Sequence, residues 1–191
     1  MFILYAVIIG IIIGYLSGGR LKYTVQRPLK HIWLAVLGFL IQILLFSDIP
    51  AFQFEKPALV IFYGVSYLLI FAFVIVNRKV PGIILIGIGM VLNATVIFLN
   101  GGHMPASIES FEKTTVGKSE AEFLRQGSTT NNSQAINEDT ILPWLGDIFY
   151  IPSWMPFSNV FSIGDVLIAA GVCMYFVLGM KSAGTNPINR G

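Results

Sequence analysis

Five apolar blocks constrain this 191-residue chain more than any other feature. They cover residues 2–16, 32–46, 58–76, 80–99 and 160–180, and a bilayer core about 30 Å thick requires about 20 helical residues. Charged residues make up 12% of the chain, about half of the ~25% that is usual in a soluble domain. We therefore predict an all-α membrane protein with five transmembrane helices, which together form a single integral membrane domain over residues 1–191.

The first block is expected to be a retained helix rather than a signal peptide. No basic residue precedes Phe2, whereas a signal peptide carries a basic segment before its apolar stretch.

Charge distribution predicts the orientation of these helices. The connections after the first and third blocks and the C-terminal tail contain no acidic residue. Their basic residues are Arg20, Lys22, Arg27, Lys30, Arg78, Lys79, Lys181 and Arg190. Because cytoplasmic loops carry an excess of Lys and Arg, these three regions are predicted to be cytoplasmic. The N-terminus is then outside, the C-terminus is cytoplasmic, and residues 100–159 form a long extracytoplasmic loop between helices 4 and 5.

This loop divides into two parts by composition. Residues 106–140 are polar and are predicted to be mobile, apart from one short helix that a Ser119/Glu122 capping box would start and Gly127 would stop. Residues 141–157 interleave aromatic residues with three prolines. Aromatic residues are enriched at membrane–water interfaces and proline prevents a long helix, so this strip is predicted to lie at the outer membrane surface.

Polar side chains in and beside the apolar blocks gather near the predicted outer face. We identify Gln42, Asn93, Asn100, His103, Asn159 and Ser162 as candidate ligand-binding residues. Asn and Gln also bridge membrane helices at about 0.6–2 kcal/mol each, so helix packing is an alternative explanation. Gly10, Gly14 and Gly18 have the four-residue spacing of close helix packing.

Two aspartates are the candidate catalytic residues. Asp165 follows Ser162 by three positions, which predicts a capping box at the start of the last helix. An acidic residue this close to hydrocarbon also indicates a functional site. Asp147 lies 18 residues earlier in the proline-rich strip. If the strip folds back onto the helix, the two carboxylates could share one proton and activate a water molecule.

The stretch "LGDIFYIPSWMPFSNVFSIGDVLI" resembles the C-terminal signature of lipoprotein signal peptidase (signal peptidase II). Asp147 and Asp165 fall where that family has its two catalytic aspartates, and Asn159 falls near its motif asparagine. The resemblance covers about the last third of the chain and implies an aspartyl membrane peptidase or hydrolase.

The pattern "NGGHMP" followed by "LGDI" and "SIGD" resembles an uncharacterised family of small bacterial polytopic membrane proteins. This resemblance implies a multi-pass protein of the bacterial cytoplasmic membrane.

The sequence thus leaves three functions open. The first is binding of a lipid, a peptide or a protein partner at a polar site on the outer face. The second is hydrolysis by an Asp147/Asp165 dyad, and the third is transport by a small carrier. The sequence predicts no cofactor and no nucleic acid partner. It also predicts no metal site, since His31 and His103 fall on opposite sides of the membrane. The predicted partner of the apolar surface is the lipid bilayer.

Overall fold

The computed structural model describes residues 2–25, 29–47, 54–115, 117–130 and 132–181, which are mostly helical. The α-helices are α1 (Phe2–Leu16), α2 (Leu21–Val25), α3 (Ile32–Leu45), α4 (Lys56–Val76), α5 (Ile83–Leu99), α6 (Ile108–Glu112), α7 (Gly117–Arg125) and α8 (Ile163–Gly179). The strands are β1 (Met104–Ala106), β2 (Ser133–Ala135), β3 (Phe149–Tyr150) and β4 (Val160–Phe161), and residues Pro143–Leu145 form a 3-10 turn. Each of the five apolar blocks contains one long helix.

Two of these helices begin three residues later than the apolar pattern predicts. α5 starts at Ile83 because Gly82, its N-cap, has a φ of 82° and interrupts the helical backbone. α8 starts at Ile163 because Val160 and Phe161 pair with β3 as an antiparallel strand. The other three long helices begin and end within two residues of the predicted bounds.

One helix, over Pro57–Val76, is long and apolar enough to cross a membrane by length and composition. The other four long helices are apolar but shorter, with 14 to 17 residues each. The number of membrane spans and the orientation of the chain therefore stay predictions.

The helix packing centres on α8, which lies between α1 and α5, while α3 packs on α4. Glycine permits the closest approaches. On the α1 side, a Cβ atom on Gly10 would lie 3.0 Å from the backbone of Cys173. On the α5 side, a Cβ atom on Gly89 would collide with the carbonyl oxygen of Gly164. The predicted packing of Gly10 and Gly14 is confirmed, because both face α8, whereas Gly18 has a φ of 77° and nothing within 4 Å of its Cβ position.

The described residues of 100–162 form a folded cap over one end of the long helices, and the mobility predicted for 106–140 stays a prediction. β1 and β2 pair in parallel, with Met104 opposite Ser133. α6 and α7 pack together around Phe111, Ala121 and Leu124, which are buried. These apolar residues are widely spaced in a polar sequence, so their shared core is not evident from composition. The short helix was predicted correctly, but it begins at Gly117 rather than after Ser119.

The predicted aromatic strip, residues 141–157, presents its rings outward. Trp144, Phe149, Tyr150, Trp154 and Phe157 are all exposed, and Trp154 is 80% exposed. The strip is attached to α1, because the Tyr5 hydroxyl donates a hydrogen bond to the carbonyl oxygen of Pro156. Its position against a membrane stays a prediction.

Matched glycine-to-alanine substitutions test the α5–α8 contact. Gly89→Ala is expected to lower stability by about 1–3 kcal/mol, because the new methyl group meets the backbone of α8. Gly64→Ala on α4 is the control, since a Cβ there meets only the Phe98 ring, at 4.0 Å. That change is expected to be neutral or stabilising by up to about 1 kcal/mol, because alanine is the better helix former. Thermal unfolding in detergent would measure both; equal effects would contradict this packing.

Candidate functional site

The first turn of α8 is fixed by a reciprocal capping box. The Ser162 hydroxyl accepts a hydrogen bond from the backbone N–H of Asp165, with 3.0 Å between N and Oγ. The Asp165 carboxylate accepts one from the backbone N–H of Ser162, also at 3.0 Å. The predicted structural role of Asp165 is therefore confirmed. It satisfies a free N–H group and places negative charge at the positive end of the helix dipole.

Asn93 connects this capping box to α5. Its side-chain amide donates to Asp165 Oδ1 at 3.0 Å, and its Oδ1 accepts from the Ser162 hydroxyl at 2.9 Å. Gly164 is required at this crossing, because a Cβ atom there would collide with Asn93 Oδ1. One amide side chain thus hydrogen-bonds two residues of another helix, and it fixes the direction of the Asp165 carboxylate.

Asp147 is held in place by the cap. Its backbone N–H donates to the carbonyl oxygen of Pro105 at 2.8 Å, and its carbonyl oxygen accepts from Ser107 N–H at 3.0 Å. This segment therefore extends the parallel pairing of β1. Gly146 permits the approach, because a Cβ atom there would collide with the carbonyl oxygen of Pro105. The backbone is well bonded, but the buried Oδ1 atom of Asp147 has no hydrogen-bond partner among the described residues.

Asp147 and Asp165 face the same cavity, which has a volume of about 220 Å³. It lies between the ends of the long helices and the underside of the cap. Its polar lining consists of Gln42, Tyr63, Tyr67, Asn93, Asn132, Asp147 and Asp165. Its apolar lining consists of Ile3, Phe39, Ile70, Ile86, Met90, Ile97, Met104 and Ile168. None of the described residues that line it is Lys, Arg or His.

Burial raises the pKa of Asp147 from 3.8 to about 8, and the negative charge of Asp165 across the cavity adds to this shift. Removal from water disfavours the charged form of a carboxyl group, and a like charge disfavours it further. Asp147 is consequently protonated in the folded protein at neutral pH. A protonated carboxyl group both donates and accepts hydrogen bonds, whereas an ionised one only accepts.

The helix α4 contributes polar residues to the cavity that the sequence did not predict as part of the site. Tyr63 and Tyr67 are buried one helical turn apart, with their ring centroids 5.2 Å from each other. Their side chains interact, and Tyr63 also interacts with Asn132. Between them, the Ser66 hydroxyl accepts a hydrogen bond from Gln42 of α3 at 3.0 Å. The i, i+4 spacing of two tyrosines in an apolar helix was the available signal.

The structure brings Gln42, Asn93, Asp147 and Asp165 to the cavity, and Ser162 contacts it through Asn93. Asn100, His103 and Asn159 do not line it. Asn100 has a structural role: its side chain bonds both the N–H and the carbonyl oxygen of Ile141, each at 2.9 Å. His103 lies near the Phe46 ring, and the carbonyl of Asn159 pairs with Ile151. In the part of the chain that the structure describes, no three His, Cys, Asp or Glu side chains are grouped as metal ligands would be.

Comparison with known proteins places this cavity within a family. The sequence profile of a family of unknown function, DUF5317, matches residues 26–177. The chain belongs to this family. The match covers every cavity-lining residue named above except Ile3, so the cavity is built almost entirely from the DUF5317 region. The predicted resemblance to an uncharacterised family is thereby confirmed.

A bacterial relative supports the same assignment. The chain is similar to an uncharacterized protein of Thermotoga maritima, with 27% identity over 173 residues. The alignment covers 90% of this chain and 88% of that relative. No solved structure matches the chain.

The raised pKa of Asp147 predicts a specific pH dependence of folding stability. Between pH 3.8 and about 8, the folded state keeps a proton that the unfolded state loses. The stability that this proton contributes is complete below pH 3.8 and is lost as the pH rises to about 8. Asp147→Asn, which resembles the protonated form, is expected to remove this loss and to be the more stable protein at pH 9 by a few kcal/mol.

Thermal unfolding from pH 5 to pH 9 would measure the effect. Asp139→Asn is the matched control, because Asp139 also lies in the cap but is exposed. Parallel pH profiles for the wild type and Asp147→Asn would contradict the burial of a protonated carboxyl group.

Proposed function

We propose that this DUF5317 protein is a five-span protein of the bacterial cytoplasmic membrane that binds the positively charged head group of an amphiphilic ligand. The observation that carries the binding proposal is the pair of carboxylates in one cavity that no described cationic side chain lines. The ligand is a lipid or a peptide, with an amine as the recognised group.

The apolar exterior supports the membrane assignment. Large apolar side chains are exposed along α1, α3, α4 and α5, including Ile43 at 65% and Leu68 at 69%. A water-soluble monomer rarely exposes apolar surface on this scale. The four shorter helices extend about 21–26 Å at 1.5 Å per residue, and local thinning of the bilayer accommodates such lengths.

The charge distribution supports the orientation. Six of the basic residues lie at the end of the helices opposite the cap: Arg20, Lys22, Lys30, Arg78, Lys79 and Lys181. Arg27 and Arg190 lie outside the described residues. The positive-inside rule then makes the cap extracytoplasmic, with the N-terminus outside and the C-terminus in the cytoplasm. The cavity would open toward the outer face.

The chemistry of the lining supports an amine rather than an anionic group. Among the described residues, the groups that donate hydrogen bonds to the Asp165 carboxylate are neutral, and Asp147 can supply a further negative charge by losing its proton. The Tyr63 and Tyr67 rings offer faces to a cation. A volume of about 220 Å³ is smaller than the ~300–1,000 Å³ of sites that enclose drug-sized ligands. The cavity therefore suits a head group rather than a complete lipid or peptide.

Binding of a soluble amine tests this proposal. Butylamine, which is cationic at pH 7, is expected to bind the protein in phosphatidylcholine nanodiscs and to release up to one proton, because its charge favours ionised Asp147. Asp147→Asn is expected to abolish proton release and to weaken binding about 10- to 100-fold, the value of a charge-assisted hydrogen bond. Calorimetry in buffers of different ionisation enthalpy would measure both quantities.

Asp139→Asn is the matched control and should behave as the wild type does. Butanol, which lacks the charge, should not bind measurably. Equal binding of butylamine and butanol, or proton release that persists in Asp147→Asn, would contradict the proposal.

Hydrolysis is the second candidate function, and the raised pKa of Asp147 favours it. Asp147 and Asp165 line the same cavity and could supply an acid and a base for water activation, and the raised pKa of Asp147 favours its role as the acid. This candidate agrees with the resemblance to signal peptidase II.

The hydrolase candidate predicts cleavage of a fluorogenic lipid-modified peptide in nanodiscs. Activity should be lost in both Asp147→Asn and Asp165→Asn, and retained in Asp139→Asn. Because Asp165→Asn also weakens the α8 cap, its unfolding temperature must be measured alongside. No cleavage by the wild type would leave binding as the function of the cavity.

A further inference from the structure

A second space, an apolar groove of about 560 Å³, lies on the outside of the α4–α5 pair. Its wall includes Val60, Gly64, Leu68, Val91, Ala94 and Phe98. Leu68 is among the most exposed apolar residues of the chain. In the proposed membrane orientation, the groove faces the hydrocarbon of the bilayer.

The groove exists partly because Gly64 has no side chain. At Gly38, Gly87 and Gly89, a Cβ atom would approach a neighbouring helix within 3.0 Å, so close packing accounts for these glycines. At Gly64 a Cβ atom would meet only Phe98 Cζ, at 4.0 Å. Glycine in a helix interior is less favourable than alanine. No contact among the described residues offsets that cost, which indicates that the space accommodates something other than this chain.

The groove and the polar cavity share one wall. Tyr67 lines both spaces, and its ring packs against Phe98 of the groove with 5.6 Å between centroids. The hydroxyl group of Tyr67 interacts with Tyr63 on the cavity side. One aromatic side chain is therefore common to the polar cavity, which two carboxyl groups line, and to the apolar groove.

This adjacency matches the two parts of an amphiphile. The groove is lined by aliphatic and aromatic groups and by Thr95, whose hydroxyl donates a hydrogen bond to the carbonyl oxygen of Val91. No charged side chain among the described residues lines it, so the groove matches the hydrocarbon chain of an amphiphile rather than its head group. The cavity offers charge but too little volume for a chain.

We infer that the α4–α5 groove binds the hydrocarbon chain of the same amphiphile whose amine occupies the Asp147/Asp165 cavity. The ligand class is therefore a long-chain amine or an amine-bearing lipid, which enters sideways from the bilayer past Tyr67. This inference rests on the proposed binding function and names the substrate class for that site.

Photolabelling in phosphatidylcholine nanodiscs tests the inference. The probe is dodecylamine with a diazirine at the end of the chain remote from the nitrogen. Peptide mapping is expected to find the label in residues 64–71 of α4 and 91–98 of α5. Excess unlabelled dodecylamine is expected to compete, and Asp147→Asn is expected to reduce labelling because the head group loses its anchor.

Gly64→Leu fills the groove without disturbing the interior, and it is expected to reduce this labelling about tenfold. Ile61→Phe is the matched control, since Ile61 is exposed on the same helix outside the groove. Butylamine has no long chain, so its binding to Gly64→Leu should equal its binding to the wild type.

The outcomes separate the two proposals. If butylamine binds but the label spreads over the lipid-facing surface, or persists in Gly64→Leu, the groove inference is overturned and head-group binding stands. If butylamine does not bind, both fail. If Gly64→Leu instead converts a dimer to a monomer without changing the labelling, the groove is a contact with a second copy and the inference is overturned.

Discussion

The hydrogen bonds of Asn93 to Ser162 and Asp165 are the interaction on which the rest of the site depends. An amide in the apolar part of α5 needs partners, and the first turn of α8 has backbone and side-chain groups that need partners as well. The Asn93 amide and the side chains of the first turn of α8 satisfy each other's hydrogen-bonding groups. The crossing requires glycine at position 164, and it sets where the Asp165 carboxylate points.

Asp165 therefore has two roles that the sequence presented as alternatives. It caps its own helix, and it also forms part of a cavity with Asp147, Tyr63 and Tyr67. The second role is the informative one, because capping alone does not call for another carboxyl group nearby. Burial of an unpaired acid is unfavourable, and the structure retains Asp147 with one oxygen unsatisfied. A water molecule or a ligand in the cavity would complete the hydrogen bonding of this atom, which is consistent with the proposed binding site.

The sequence predicted the features that depend on local pattern. Runs of apolar residues located the five long helices, and the Ser162–Asp165 spacing identified the capping box at the start of α8. Prediction from the sequence failed where residues that are in contact lie far apart in the chain. Asp147 reaches the cavity because Gly146 lets its strand pair with β1, about 40 residues earlier along the chain. The buried Leu124 and Phe111 of the cap lie in a sequence whose polarity indicated a mobile loop. Tyr63 and Tyr67 carried a periodic signal, but only the fold shows that they face two aspartates.

Both proposed functions depend on the protonation state of Asp147, which infrared difference spectroscopy would measure. Titration of the folded protein in nanodiscs from pH 6 to pH 10 should show a protonated carboxyl C=O band that disappears with a midpoint near pH 8. The band should be absent in Asp147→Asn and should diminish when butylamine is added at pH 7. A wild-type protein with no protonated carboxyl group at pH 6 would contradict the account.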